Sequence, residues 1–255
     1  MNAGGHLERY WQFEYDVAAR YLVPLLDSWG VRLPAATVLD VGCAEGGGLC
    51  ALADAGAHCT GFDIEASRIA DGLRLKGDRP LVMETGDMYA VTPPFAGSRF
   101  DLVTLHDVFE HLEDKHATIV KLARYLAPGG KLLITFPPWY SAYGGHQQHL
   151  RFAPARLPFV HLVPLFARGM LPRLQGEAPH VVQEIQKLSR LKMGMRRFRL
   201  IAAEGGLRIL RTKAYLVGPN HIRFGLRPLG AGPVAHLPLV REVLCSGVIY
   251  LLDRP

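Results

Sequence analysis

Two groups of residues in this 255-residue chain have the type and spacing to do chemistry. The first group is carboxylates at the ends of apolar runs. In VLDVGCAEGGG, residues 38–48, Asp40 is followed by Gly42, Ala44, Gly46 and Gly47, and the next apolar run ends at Asp63. Glycines let the backbone approach a ligand closely, and the helix start behind them offers free N–H groups. A carboxylate after the second run can accept both hydroxyls of a ribose. The loop by itself fits NAD, FAD or another nucleoside cofactor, but Gly42 followed by Ala44 is not the GxGxxG spacing of a dinucleotide site.

The second group is histidines. FPPWYSAYGGHQQHLRFAP, residues 136–154, sets His146 and His149 beside Trp139, Tyr140 and Tyr143. A histidine titrating near neutrality is the common proton acceptor in catalysis. The i, i+3 pair also suits a metal ion, with Glu110 or an Asp as third ligand. Metal sites generally need three or more protein ligands with outer support, and nothing nearby in sequence supplies a convincing third. We therefore expect no metal and read His146 and His149 as base or substrate-binding residues.

The elements that position these groups follow from hydrophobic spacing. Residues 8–29 carry apolar and aromatic positions at helical intervals. Strands are expected at 37–41, 59–62, 80–83, 100–105 and 131–136, and helices at 49–55, 64–75 and 115–125. Pro128, Gly129 and Gly130 stop the last helix. This alternation means βαβ units and a parallel sheet with helices on both faces. After residue 136 the rhythm breaks. Residues 137–179 are rich in proline and aromatics, a long helical pattern runs over 181–202, and strands are expected at 207–217 and 243–252. The glycine loop and the histidine loop then follow strands one and five, at the sheet edge where ligands bind in open α/β folds.

The chain is long enough to bury a full core. Its net charge of +6 is uneven: residues 151–213 hold thirteen Lys and Arg against three acids, +10, leaving −4 elsewhere. Such a field suits an anionic acceptor, carrier or surface, or a solvated helix face. The N-terminus has no apolar stretch of a secretory signal. The apolar run 157–174 is broken by Pro158, Pro164, Arg168 and Pro172, so no transmembrane segment is expected. Four cysteines without ligand-like spacing read as small buried hydrophobes of a reducing cytoplasm.

Two further stretches narrow the cofactor: Gly86–Asp87–Met88 after strand three, and FDLVTLHDVFEHLED followed by LAPGGKLLITFP. With VLDVGCAEGGG and Asp63, this ordered set resembles the class I S-adenosylmethionine-dependent methyltransferases, especially the small-molecule branch of ubiquinone and menaquinone pathways. The resemblance covers residues 38–137 and loosens beyond. It implies a doubly wound, mostly parallel seven-stranded sheet, with a helical and loop cap inserted after strand five. The parts of this single domain, 1–255, would be an N-terminal helical segment (1–36), a cofactor-binding core (37–136), a substrate cap (137–179), and a helix with C-terminal antiparallel strands (180–255).

The same resemblance implies S-adenosyl-L-methionine as cofactor and S-adenosyl-L-homocysteine as product. Asp40 and Gly42 would border the methionine part, with Ala44 and Gly46 completing the loop. Asp63 would hold the ribose, Ile64 would pack on adenine, and Asp87 would take the adenine amine with Met88 beside it. His106 would place its carbonyl near the cofactor's amino group. Ala44 replaces the family's second loop glycine. Catalytic candidates are His106, His146 and His149. Trp139, Tyr140 and Tyr143 would wall the acceptor, with Tyr10 and Tyr15 folding over the cofactor. We expect methyl transfer to O, N or C of a small or carrier-linked, partly hydrophobic acceptor, in the cytoplasm, with no DNA partner and with peripheral membrane contact compatible. RNA or tRNA methylation and a catalytically silent cofactor-binding scaffold are the alternatives.

Overall fold

The computed structural model describes residues 3–255. The N-terminal helical pattern forms α1 (Ala3–Val17), a π turn at Ala18–Leu22, and α2 (Val23–Ser28). The core then alternates β1 (Thr37–Val41), α3 (Gly47–Asp54), β2 (His58–Asp63), α4 (Ala66–Leu75), β3 (Val82–Thr85), β4 (Phe100–His106), α5 (Lys115–Tyr125) and β5 (Leu126–Phe136). Asp114 caps α5, its carboxylate accepting from the Ala117 N–H at 2.8 Å.

The sheet runs in the order β3-β2-β1-β4-β5-β8-β6-β7, where β6 is Arg208–Val217, β7 is Leu229–Gly230 and β8 is Gly247–Asp253. The first five strands pair in parallel and the last three are antiparallel. Eight strands therefore replace the seven expected, the extra one being the two-residue β7 at the edge. Alternation along each strand feeds two cores. Leu39, Val103, Ile134 and Tyr250 pack beneath α5 on one face, whereas Val38, Leu102, Leu133 and Leu251 pack beneath α1 and α3 on the other.

The expected cap is a run of turns with two short helices, α6 (Pro164–Ala167) and α7 (Met170–Leu174). The single long helix expected over 181–202 is instead two, α8 (Pro179–Leu191) and α9 (Met195–Glu204). Lys192 ends α8 in the left-handed region at φ 43°, and Met193 turns its carbonyl to the Trp139 N–H at 2.8 Å. Glu242 then caps α9, accepting from the Met195 and Arg196 N–H groups at 2.8 and 2.7 Å. The apolar stripe continues across the break, so periodicity alone could not reveal it. The strand expected from 243 starts only at Gly247, because Val243 and Leu244 end helix α10 (Pro238–Leu244).

Candidate active site

The glycine loop lies where strand β1 meets α3. Gly42, Ala44 and Gly46 all take positive φ, at 76°, 53° and 76°. A Cβ on Gly42 would lie 2.6 Å from a Val108 methyl, and one on Gly46 would lie 2.8 Å from the Met83 sulfur. Glycine is therefore required twice, for backbone angle and for close packing. Ala44 holds the same left-handed conformation with a side chain.

Asp63 secures this loop as well as facing it. One carboxylate oxygen accepts from the Ala44 N–H at 2.9 Å, the other from the Glu65 N–H at 2.9 Å. Each oxygen keeps a further lone pair, which is what a ribose diol requires. Ile64, next in sequence, is 65% exposed at the strand end, a bare apolar surface. The Asp87 carboxylate accepts from the Tyr89 N–H, and Met88 is buried in the core below.

Acidic groups converge around the loop. Asp40 is buried and accepts from the Thr104 hydroxyl at 2.6 Å; burial raises its carboxyl despite help from His106 and Thr104. Glu14, on α1, is pushed up to about 8 by burial and then by Glu45. Glu45 is paired bidentately with Arg68, at 2.9 and 2.7 Å. Asp40 and Glu14 stay raised even with Arg68 close to Glu14, so a ligand carrying cationic groups is favoured beside them. Helix α1 closes directly over the loop: a Cβ on Gly47 would lie 2.4 Å from the Trp11 carbonyl oxygen.

The structure separates the N-terminal aromatics. Tyr10 stays near Glu14, and burial raises its hydroxyl. Tyr15 is drawn off along α3 to its far end, where its hydroxyl donates to Asp54 at 2.8 Å beneath Arg79. Its hydroxyl is thus committed away from the glycine loop, a different place from the one expected over the cofactor.

Past β4, His106 is half-buried, its Nε2 has no hydrogen-bond partner among the described residues, and Asp40 lies near it. The next residue, Asp107, was missed by sequence reasoning. It sits at φ 51° and binds three ways: its N–H donates to Thr135, and its carboxylate accepts from the Thr135 hydroxyl at 2.9 Å and the Asn220 amide at 2.7 Å. It thereby pins the strand ends of β4 and β5 together. A non-glycine residue with positive φ is the signature of such a site, but sequence does not display φ.

The aromatic loop divides. Trp139 is 3% exposed and its ring meets His161 edge-on, while its carbonyl accepts from His161 Nε2 at 2.7 Å. It is an anchor of the cap's interior, so the expectation of a wall residue is corrected. Tyr140 is 42% exposed and Tyr143 partly buried, and they remain on the loop. The Gly144–Gly145 pair has a packing reason: added Cβ atoms would lie 2.2 Å from the Pro138 carbonyl oxygen and 2.3 Å from the His161 Cβ. His146 follows at φ 57°. Its ring lies 5.0 Å from His111 and 6.1 Å from His149, so its nearer histidine neighbour is remote in sequence. Burial lowers the His146 imidazole to about 3, reinforced by His111 and His149.

Residues 39–134 match the family described as a methyltransferase domain. Over 117 residues the chain is 32% identical to demethylmenaquinone methyltransferase of Beutenbergia cavernae, covering 45% of this chain and 47% of that protein. Over 113 residues it is 31% identical to phosphoethanolamine N-methyltransferase 2 of Caenorhabditis elegans, covering 44% of this chain and 26% of that protein. The chain spans between a fifth and about half the length of such curated relatives.

Among solved structures, magnesium protoporphyrin IX methyltransferase from Synechocystis with bound S-adenosylhomocysteine superposes with a TM-score of 0.55 at 18% identity, covering 100% of this chain and 88% of that one. An S-adenosylmethionine-dependent methyltransferase from Mesorhizobium loti gives 0.56 at 17% identity, covering 91% and 96%. At such identities the likeness is one of fold: the Rossmann-like methyltransferase fold.

Proposed function

We propose that this chain, which carries a methyltransferase domain at residues 39–134, transfers a methyl group from S-adenosyl-L-methionine to a small or carrier-linked, partly hydrophobic acceptor. The observation that carries this reading is the loop itself. Asp40, the positive-φ turn and the Asp63 carboxylate stand together at one sheet edge, beside the raised carboxyls of Asp40 and Glu14. A cofactor bearing a sulfonium, an ammonium group and a ribose complements all three features.

Bound there, S-adenosylmethionine supplies an electrophilic methyl group on sulfur. The protein's own contribution is placement. An in-line displacement gains most of its acceleration from holding nucleophile and electrophile in register. Asp63 would receive the ribose hydroxyls, Ile64 would cover the adenine, and Asp40 and Gly42 would border the methionine part. His106, beside Asp40, is the base candidate nearest the loop, able to take a proton from an acceptor hydroxyl or amine. Tyr140 and Tyr143 are the aromatic candidates for the acceptor side. Exposed Leu157, Leu162, Leu165 and Met170 on the cap support a lipophilic acceptor or peripheral membrane contact. The basic faces of α8 and α9 support an anionic carrier or surface, although Arg208 is engaged with Asp253. Among the described residues no helix is long and apolar enough to cross a membrane. The free, buried Cys43, Cys50, Cys59 and Cys245 support a place in the cytoplasm.

Calorimetric titration with S-adenosylhomocysteine tests the cofactor. Saturable one-to-one binding is expected, and no heat from folded protein would overturn the assignment. Transfer of a tritiated methyl group from S-adenosylmethionine to a panel of quinols, phenols and amines tests the acceptor class.

A further inference from the structure

The turn after β4 and the cap meet at a cluster that the proposed cofactor site does not use. Glu110 is 3% exposed, and neither carboxylate oxygen has a hydrogen-bond partner among the described residues. The nearest ammonium, Lys115, is spent on the carbonyls of Phe109 and Glu110. Two imidazoles face the same oxygen: His111 Nε2 at 3.6 Å and His146 Nε2 at 3.8 Å from Glu110 Oε1. The three donor atoms all lie within 4.8 Å of one another.

We propose that Glu110, His111 and His146 bind a divalent transition-metal ion, zinc being the natural probe, and that the ion clasps the cap to the core. The separations support this. Each O···N distance exceeds a hydrogen bond, yet donors about 2.1 Å from a tetrahedral ion stand about 3.4 Å apart. Two imidazoles with one carboxylate suit zinc, iron or nickel rather than magnesium or calcium.

The surroundings are also those of a metal ligand set. His111 Nδ1 is hydrogen-bonded to Glu184 Oε1 on α8. A carboxylate on Nδ1–H leaves Nε2 as the lone pair, aimed at Glu110, and such outer partners orient metal-binding histidines. His146, held neutral by burial, likewise offers a lone pair. Burial drives the Glu110 carboxyl up to about 8, with only partial relief from His111 and Lys115. Three protein ligands leave a coordination position open. This inference stands independently of the methyl-transfer reading.

The test is metal binding to the full chain, stripped with chelator and titrated with zinc, with cobalt as a spectroscopic stand-in. We expect one ion per chain, a visible cobalt spectrum of four-coordinate type, and a rise in melting temperature with zinc. Glu184→Gln, at a half-exposed outer partner, should weaken binding about tenfold or more. His146→Ala should weaken it further and lose the cobalt spectrum, while His149→Ala should do neither. S-adenosylhomocysteine titration of each variant reports whether the fold survives. Equal zinc affinity in wild type and a folded His146→Ala, or well under one ion per chain, would overturn the proposal.

Discussion

Gly47 and Gly48 open helix α3 side by side, and replacing each with alanine should move stability in opposite directions. Helix propensity alone favours alanine at both positions, by up to about 1 kcal/mol. The structure reverses this at Gly47. Its added Cβ would lie 2.4 Å from the Trp11 carbonyl oxygen, 2.9 Å from the Glu14 Cβ and 3.1 Å from the Tyr15 nitrogen. Two of those three are backbone atoms of α1, which no rotamer change can move. Comfortable separations are about 3.5 Å, so α1 must retreat by about 1 Å from the glycine loop.

Overpacking of this kind costs about 1–3 kcal/mol. Less a full propensity gain of about 1 kcal/mol, the net loss is about 0–2 kcal/mol, a fall of up to about 8 °C in melting temperature for a domain of this size. At Gly48 the nearest neighbour is the Ala18 Cβ at 3.9 Å, an ordinary contact. Gly48→Ala should therefore melt at or up to about 4 °C above wild type. Scanning calorimetry of the pair decides the matter, with S-adenosylhomocysteine titration as a second readout, weakened only in Gly47→Ala. If Gly47→Ala melts at or above wild type, α1 does not seal the loop as described.

Asp63→Ala should weaken S-adenosylhomocysteine binding by about 1–3 kcal/mol through lost charge-assisted bonds, and should also lower stability because the Ala44 and Glu65 N–H groups lose their acceptor; unchanged affinity by calorimetry would remove Asp63 from the site. Trp139→Ala should cost about 3–5 kcal/mol in denaturant unfolding as a buried anchor, whereas exposed Tyr140→Ala should leave stability within about 0.5 kcal/mol and raise the acceptor KM; equal midpoints would contradict the division of the loop. Glu14 binds its proton more tightly folded than unfolded, with the carboxyl at about 8 against an ordinary 4.5. Its contribution is thus complete below about pH 4.5 and is lost as pH rises through 8, so Glu14→Gln should flatten the fall in melting temperature across that window, and parallel profiles would refute the assignment.

The cofactor core was legible in the chain because its signals are local. A short apolar run ending in Asp40, glycines where the backbone needs positive φ, and a second run ending in Asp63 each state their own requirement within a few residues. The alternation of strand and helix up to Phe136 then follows from hydrophobic spacing, which reports which side of a strand or helix is buried. The Lys115–Tyr125 helix was legible from its apolar stripe, although the Pro128-Gly129-Gly130 run read as its stop lies inside strand β5 and the Asp114 cap was not read from the sequence.

What lay beyond the sequence depended on partners far along the chain. Whether α8 and α9 are one helix is decided by Trp139 and Glu242, which take the free backbone groups at the break. Trp139 and Tyr140 are adjacent aromatics with opposite exposures, because only the packing of His161 distinguishes them. His146 and His149 announced themselves as a pair by spacing. Tertiary structure matched His146 instead with His111 and Glu110, on the turn after β4, since β4 and β5 are parallel neighbours whose following loops emerge at one edge. Sequence periodicity records which face of an element is apolar. Which side chains from separate elements share a site is settled only when strand order brings their loops together.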